Sequence, residues 1–243
     1  MTRLQKHMLA SDLDGTLLGD ASALAGFAHW TAANRDSLSL VYVTGRSFES
    51  VVEVVDESPL PEPDAVIAAV GTSIHHYPGG EVVEEWRNRV NDRWNAQAIR
   101  RLLRGQEGLK LQEEEFQSEF KVSYYAENVD SPKLGSIDRR LRSAGIDTEI
   151  IYSSGRDLDF LPAGMNKGSA VAFLADCWGI RQENVLVSGN TGNDRALFEQ
   201  GFAGVVVANA EPELKVVRGA KIHHAAFACA AGVMEGIRYF WEL

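Results

Sequence analysis

The sequence predicts an α/β fold: a Rossmann-like core built on a parallel sheet, with a smaller α+β domain inserted into it. Two observations carry this. Short apolar runs without helical spacing alternate with amphipathic stretches near both ends of the chain, the pattern of parallel strands covered on both faces by helices. Between about residues 80 and 159 that rhythm breaks into half-apolar strands and charged helices, as in a small open sheet. The core is therefore assigned to residues 1–79 and 160–243, and the inserted domain to residues 80–159.

In chain order, Met8-Leu9-Ala10 forms the first strand and feeds Ser11-Asp12-Leu13-Asp14-Gly15-Thr16. Residues 38–43 form a buried parallel strand that ends at Thr44-Gly45-Arg46. A helix over 48–56 is stopped by Ser58-Pro59 with Pro61 and Pro63, and a strand over 65–70 ends at Gly71-Thr72. In the inserted domain the spacing predicts a charged helix over 85–104, a half-exposed strand over 120–126, a helix over 132–144 and a strand over 148–153. Residues 157–161 then lead back to the core through Pro162. A strand over 185–187 precedes Ser188-Gly189-Asn190-Thr191-Gly192-Asn193-Asp194, and residues 204–208 give one more short strand.

Composition narrows the function classes. With 243 residues and 45% apolar content the chain can bury one large core or two smaller ones. A formal net charge of −10 argues against nucleic acid, whose phosphates require clustered Lys and Arg. No apolar run approaches the roughly 18 residues of a spanning helix, and MTRLQKHMLA is too short and polar for a signal peptide. Cys177 and Cys229 are too few for a disulfide framework. A cytoplasmic monomer without membrane contact is expected.

The chemistry-bearing feature is the pair Asp12 and Asp14. Side chains at i and i+2 of an extended segment point the same way, so both carboxylates reach one volume beyond the strand. Their repulsion is relieved by a cation between them or by protonation of one. A calcium loop is excluded, because its required glycine and glutamate positions hold Leu17 and Ala23. Alone, the segment fits a solvated turn corner as well as an active site. An anionic substrate in so acidic a chain needs placed cations, and Arg46 and Lys167 are candidates.

Four segments fall where parallel strands end or a helix begins: Asp12-Leu13-Asp14-Gly15-Thr16, Thr44-Gly45-Arg46, Lys167, and Gly189 through Asp194. In order and spacing they resemble the haloacid dehalogenase superfamily of phosphatases, in the branch with an α/β cap inserted between the second and third motifs. The resemblance implies that Asp12 is the nucleophile forming an aspartyl-phosphate and Asp14 the general acid and base. It implies that Thr44 hydrogen-bonds the phosphate and Lys167 offsets charge, with Gly45, Arg46 and Asn193 near the substrate. It further implies Mg²⁺, held through Asp12, Asp14, position 190 and Asp194. At position 190 the family has aspartate where this chain has Asn190, so one metal-attracting charge is missing and weaker Mg²⁺ affinity is expected.

The segments Val43-Thr44-Gly45-Arg46-Ser47, Lys121-Val122-Ser123-Tyr124 and Tyr152 through Asp159 are most similar to sucrose-phosphate phosphatases, with mannosylfructose-phosphate phosphatases closely similar. The implied substrate is a phosphorylated disaccharide, sucrose 6-phosphate first. Lys121, Ser123, Tyr125, Arg156 and Asp157 are the cap groups suited to sugar hydroxyls. Asn190 also leaves open a weakly active sugar-phosphate sensor or partner of the upstream glycosyltransferase, and the shared chemistry leaves open a phosphomutase. The pairs His75-His76 and His223-His224, and Trp86, Trp94, Trp178 and Trp241, read as structural.

Overall fold

The structure is a computed structural model that describes residues 6–90, 93–127 and 129–241. The core begins with β1 (His7–Ser11), α1 (Ala21–Asn34), β2 (Leu38–Val43), α2 (Phe48–Glu57), β3 (Ala65–Ala68) and β4 (Ser73–His76). Next come α3 (Glu84–Arg87), α4 (Ala96–Leu102), β5 (Leu109–Leu111), β6 (Val122–Ala126), α5 (Ser131–Ser143), β7 (Thr148–Ser153) and β8 (Asp157–Pro162). The chain continues with α6 (Lys167–Cys177), β9 (Val185–Gly189), α7 (Arg195–Phe198), β10 (Ala203–Val206), α8 (Pro212–Lys215), β11 (Ile222–His224) and α9 (Cys229–Trp241).

Two sheets organise these elements. The larger runs β11-β10-β9-β1-β2-β3-β4, parallel throughout except for β4, which pairs antiparallel to β3. Its central strands are buried along nearly their whole length, which explains why β1, β2 and β9 read as apolar runs without alternation. The chain leaves β1 toward β2 on one side and returns to β9 on the other, so strand order reverses beside β1. A ligand crevice belongs beyond the carboxyl ends of those strands. The smaller sheet is antiparallel, β5-β6-β8-β7, with α4 and α5 packed on it.

Each sheet has its own apolar cluster. Leu9, Leu40, Val41, Leu186, Val187 and Phe27 belong to the large one; Ile99, Val122, Leu141, Leu158 and Phe160 belong to the small one. This division explains where the helix predicted over 85–104 departs from the structure. Trp86 of α3 is 1% exposed and donates from Nε1 to the Gly71 carbonyl at 3.0 Å, which anchors α3 to the core. Ala98 and Ile99 of α4 bury instead in the small cluster. One straight helix cannot serve both, and Asn95 starts the second by accepting from Ala98 N at 2.8 Å. Asn91 and Asp92 of the predicted helix lie outside the described residues.

Other differences are local. The strand predicted over 65–70 ends at Ala68, because Ala69 and Val70 turn to φ of 48° and 61°. Residues 157–161 form most of β8, which stays in the smaller sheet to Pro162, so the division at 159/160 falls inside a strand. Alanine-rich α1 offers little contrast between faces, and the edge strands β4, β5 and β11 are too short for a legible period. No helix among the described residues is long and apolar enough to cross a membrane.

Phe160 is fully buried in the small cluster and meets Tyr124 edge-on, ring centroids 5.9 Å apart. Phe160→Ala should destabilise this cluster by about 3–5 kcal/mol in urea unfolding, and a loss below about 1 kcal/mol would refute the packing described.

Candidate active site

The turn after β1 separates the two aspartates. Asp12 N continues the sheet by donating to Ser188 O at 3.1 Å, and the amides of Thr16, Leu17 and Leu18 all point to the Leu13 carbonyl at 2.9–3.1 Å. Gly15 sits at φ 76°, where a Cβ would also come within 2.4 Å of Asn190 Nδ2. Asp12 is 5% exposed, whereas the Asp14 side chain is 56% exposed. Carboxylates in such different surroundings are suited to different tasks.

Lys167, the first residue of α6, is fully buried. Its Nζ donates to Asp12 Oδ1 at 2.9 Å and to Asp194 Oδ1 at 2.6 Å. Helix α6 is brought there by a capping box between Asn166 and Ser169 and by Gly71, where a Cβ would meet the Asn166 carbonyl carbon at 2.2 Å. Asp194 Oδ2 accepts from the amides of Asn190 at 2.9 Å and Thr191 at 3.0 Å, so both its oxygens are engaged. Burial pulls the Lys167 ammonium toward neutrality, but Asp12 and Asp194 outweigh it and hold the lysine above its ordinary range. Burial, and then Asp194, push the Asp12 carboxyl up to about 7 against the opposing pull of Lys167 and Thr16. One buried cation thus faces two buried carboxylates, which leaves a negative excess for a further cation to offset.

The donor chemistry fits Mg²⁺. Thr16 Oγ1 lies 3.0 Å from Asp12 Oδ2 and 3.1 Å from Asn190 Oδ1, but its single hydrogen can serve only one of them. The other oxygen keeps an unmatched lone pair in a buried place, where a hard, oxygen-seeking cation is favoured. Among the described residues no three carboxylate, imidazole or thiolate groups converge as a metal cluster. Asn190 contributes an amide oxygen instead, and Asp194 serves Lys167 and the backbone rather than facing the cavity.

A cavity of about 760 Å³ opens between the two sheets. On the core side it is lined by Asp12, Asp14, Thr44, Gly45, Arg46, Asn190 and Asn193. Lys121, Tyr125, Arg156 and Asp157 line the cap side. Lys167 and Asp194 lie behind Asp12, and Ser123 is fully buried behind Lys121. Thr44 Oγ1 accepts from Arg46 N at 3.2 Å, while Arg46 N–H groups grip Asp14 at both oxygens, each at 2.7 Å, and reach Ser50 Oγ at 3.1 Å. Asp14 raises the Arg46 pKa above its ordinary value through these bonds. Arg46 therefore holds the second aspartate in this state.

Several site residues escape sequence reasoning. Asp159 accepts from Ser123 Oγ at 2.5 Å and faces Lys121 Nζ at 4.0 Å; burial raises its carboxyl above the usual range, opposed by Lys121. The alternation Asp157-Leu158-Asp159, with Leu158 in the apolar cluster, is the signal that could have found it. Gln112 donates to Asp157 Oδ1 at 2.9 Å and Gln117 to the Ser123 carbonyl at 2.9 Å, from coil that has no readable period. Tyr125 OH donates to Glu113 Oε2 at 2.8 Å, and the Arg156 guanidinium lies 5.8 Å from the Tyr125 ring centre and pairs with Asp157. Of the paired histidines, His75 stacks on Phe48 and His223 pairs with Glu235 at 2.8 Å, away from the cavity.

Asp12 carries a pH signature. Its folded pKa of about 7 lies above the ordinary 3.8, so the metal-free protein loses stability as pH rises from about 4 through 7. Asp12→Asn removes that titration and should raise the metal-free Tm at pH 8 by on the order of 5 °C, with the difference shrinking toward pH 4. Thermal unfolding in chelator would show this, and a pH-independent difference would contradict it.

Comparison with known proteins agrees with this geometry. Residues 5–241 match the family model described as sucrose-6F-phosphate phosphohydrolase. The chain is 37% identical to mannosylfructose-phosphate phosphatase of Agrobacterium fabrum, over 98% of this chain and 97% of that protein. It is 36% identical to sucrose-phosphatase 1 of Nicotiana tabacum over 99% of this chain, but spans only 60% of the tobacco protein. The sucrose-phosphatase of Synechocystis sp., solved in complex with sucrose and phosphate, superposes with a TM-score of 0.91 at 33% identity, covering 97% of this chain and 98% of that one. The chain therefore belongs to the sucrose-6F-phosphate phosphohydrolase family and is a sugar-phosphate phosphatase.

Proposed function

We propose that this chain is a Mg²⁺-dependent phosphatase of a disaccharide phosphate, sucrose 6-phosphate first, acting through an aspartyl-phosphate. The observation that carries the reading is the Asp12–Lys167–Asp194 cluster at the floor of a cavity whose opposite wall is the polar face of the cap. An Asp12 carboxylate oxygen attacks phosphorus while the bond to the sugar oxygen breaks, and Asp14 gives that oxygen its proton. Water then attacks the phosphorus of the aspartyl-phosphate, loses its proton to the Asp14 carboxylate, and the bond from phosphorus to the Asp12 oxygen breaks, which frees phosphate and restores Asp12. Lys167 orients Asp12 and opposes its protonation, and Thr44 offers the phosphoryl group a hydrogen bond. Arg46 must loosen its grip on Asp14 for proton transfer, and the incoming phosphate is a competing anion for the same guanidinium. Mg²⁺ would be held by Asp12 and the Asn190 amide oxygen, with Asp14 and Asp194 nearby, and would supply charge neutralisation for the phosphoryl group.

Lys121, Tyr125, Arg156 and Asp157 are assigned to the sugar, with Ser123 orienting Lys121 from behind. The unpaired thiols of Cys177 and Cys229 accord with a cytoplasmic enzyme taking a small-molecule substrate. Mannosylfructose phosphate is the second reading, favoured by the relative whose length this chain matches almost throughout.

A phosphate-release screen with Mg²⁺ over sucrose 6-phosphate, mannosylfructose phosphate, trehalose 6-phosphate and hexose phosphates decides among substrates. Preference for a monosaccharide phosphate would overturn the disaccharide assignment, and tight binding without turnover would mark a sensor. Asp12→Asn should lower kcat by on the order of 10⁴-fold or more, with normal turnover excluding the covalent route. Asn190→Asp should lower the Mg²⁺ concentration for half-maximal release roughly tenfold. Equal half-saturation would remove Asn190 from the metal site.

A further inference from the structure

We propose that Glu213 is a positioning residue that sets the sugar-facing turn of the cap in register with the loop carrying Asn190 and Asn193. Its Oε1 accepts from the backbone N–H of Ser154 at 2.8 Å and from that of Gly192 at 2.7 Å. The first amide belongs to the turn between β7 and β8, the second to the loop after β9. A single carboxylate oxygen therefore ties together two sheets that otherwise have separate apolar cores.

The surroundings are shaped for this contact. A Cβ at position 192 would lie 2.7 Å from Glu213 Oε1 and 3.0 Å from the Tyr152 carbonyl oxygen, so the approach requires glycine there. Ser154 holds φ at 55°, a conformation that non-glycine residues seldom adopt, and it does so with its amide on this acceptor. Glu211, the residue that precedes helix α8, grips the same loop a second time by donating from its N–H to the Asn190 carbonyl at 2.7 Å. The turn it holds brings Ser154, Arg156 and Asp157 to the cavity wall, opposite Asn190 and Asn193. Charge-assisted bonds from two backbone amides to one carboxylate oxygen fix that spacing without Glu213 lining the cavity.

The proposal deepens the reading that the cap side recognises the sugar, and it predicts a split between substrates. Glu213→Ala should raise KM for sucrose 6-phosphate about tenfold. Its kcat should stay within about twofold, and p-nitrophenyl phosphate, which has no sugar to reach the cap, should lose at most about twofold in kcat/KM. Glu213→Gln keeps an oxygen acceptor and should recover most of the loss. Amide exchange at Ser154 and Gly192 should quicken in Glu213→Ala, measured on the intact protein. Equal losses on both substrates, or unchanged KM with unchanged exchange, would overturn the proposal. If the parent protein hydrolyses no disaccharide phosphate, the substrate reading fails separately, and the exchange measurement alone decides the role of Glu213: unchanged protection of both amides sinks it.

Discussion

The Lys167 ammonium, fully buried between Asp12 and Asp194, is the interaction on which the rest of this site depends. An unpaired cation at that depth would be strongly disfavoured, and the fold delivers two carboxylates to it from elements far apart in sequence. It does so by pairing β1 with β9, which places Asp12 and the loop at 190–194 side by side. The start of α6 then comes across the close contact at Gly71. A lysine in the first turn opposes the helix dipole. Here two aspartates more than offset that penalty, and the residual negative charge defines where a further cation belongs.

Around this cluster, charge is arranged in graded exposure. Asp12 is buried and its proton affinity raised, whereas Asp14 is largely exposed and held by Arg46. The pair is thus divided by environment before any substrate arrives. The second and third strands supply the rest of the floor. Backbone bonds from Ala69 N to Arg46 O and from Val70 N to Thr44 O, at 2.8 and 2.9 Å, hold the wall at Ala69 and Val70 against the Thr44–Arg46 turn. Both residues sit at positive φ, strain that the β-branched Val70 above all tolerates only where neighbouring bonds fix the backbone.

The cap has a sheet and an apolar cluster of its own. Its antiparallel sheet buries Leu158 and Phe160 on one face and turns Asp157 and Asp159 toward the cavity side on the other. This is the period-two alternation of a strand, which the turn after β1 denies to Asp12 and Asp14. Lys121 and Ser123 then pair with Asp159 across the sheet, with Ser123 opposite Asp159 in register. Polar groups there are mutually satisfied by protein partners, which keeps them oriented.

The sequence by itself determined the parallel core, its interruption by a second sheet, and the four segments that meet at the cavity and the buried cluster beneath it, because each is a local pattern. Buried strands write themselves as apolar runs, and reactive turns write themselves as polar and glycine residues after those runs. The family assignment follows from the same order and spacing. Tertiary structure decided what depends on residues distant in sequence. It divided the segment predicted as one helix over 85–104, since Trp86 and Ile99 bury in different cores. It put Ser123 behind Lys121 rather than on the cavity wall, joined Arg46 to Asp14, brought Asp159 and Gln112 to the cavity, and set Glu213 between the two sheets outside it. Local periodicity encodes which face of an element is buried; it does not encode which carboxylate a cation will meet across 27 or 155 residues of chain.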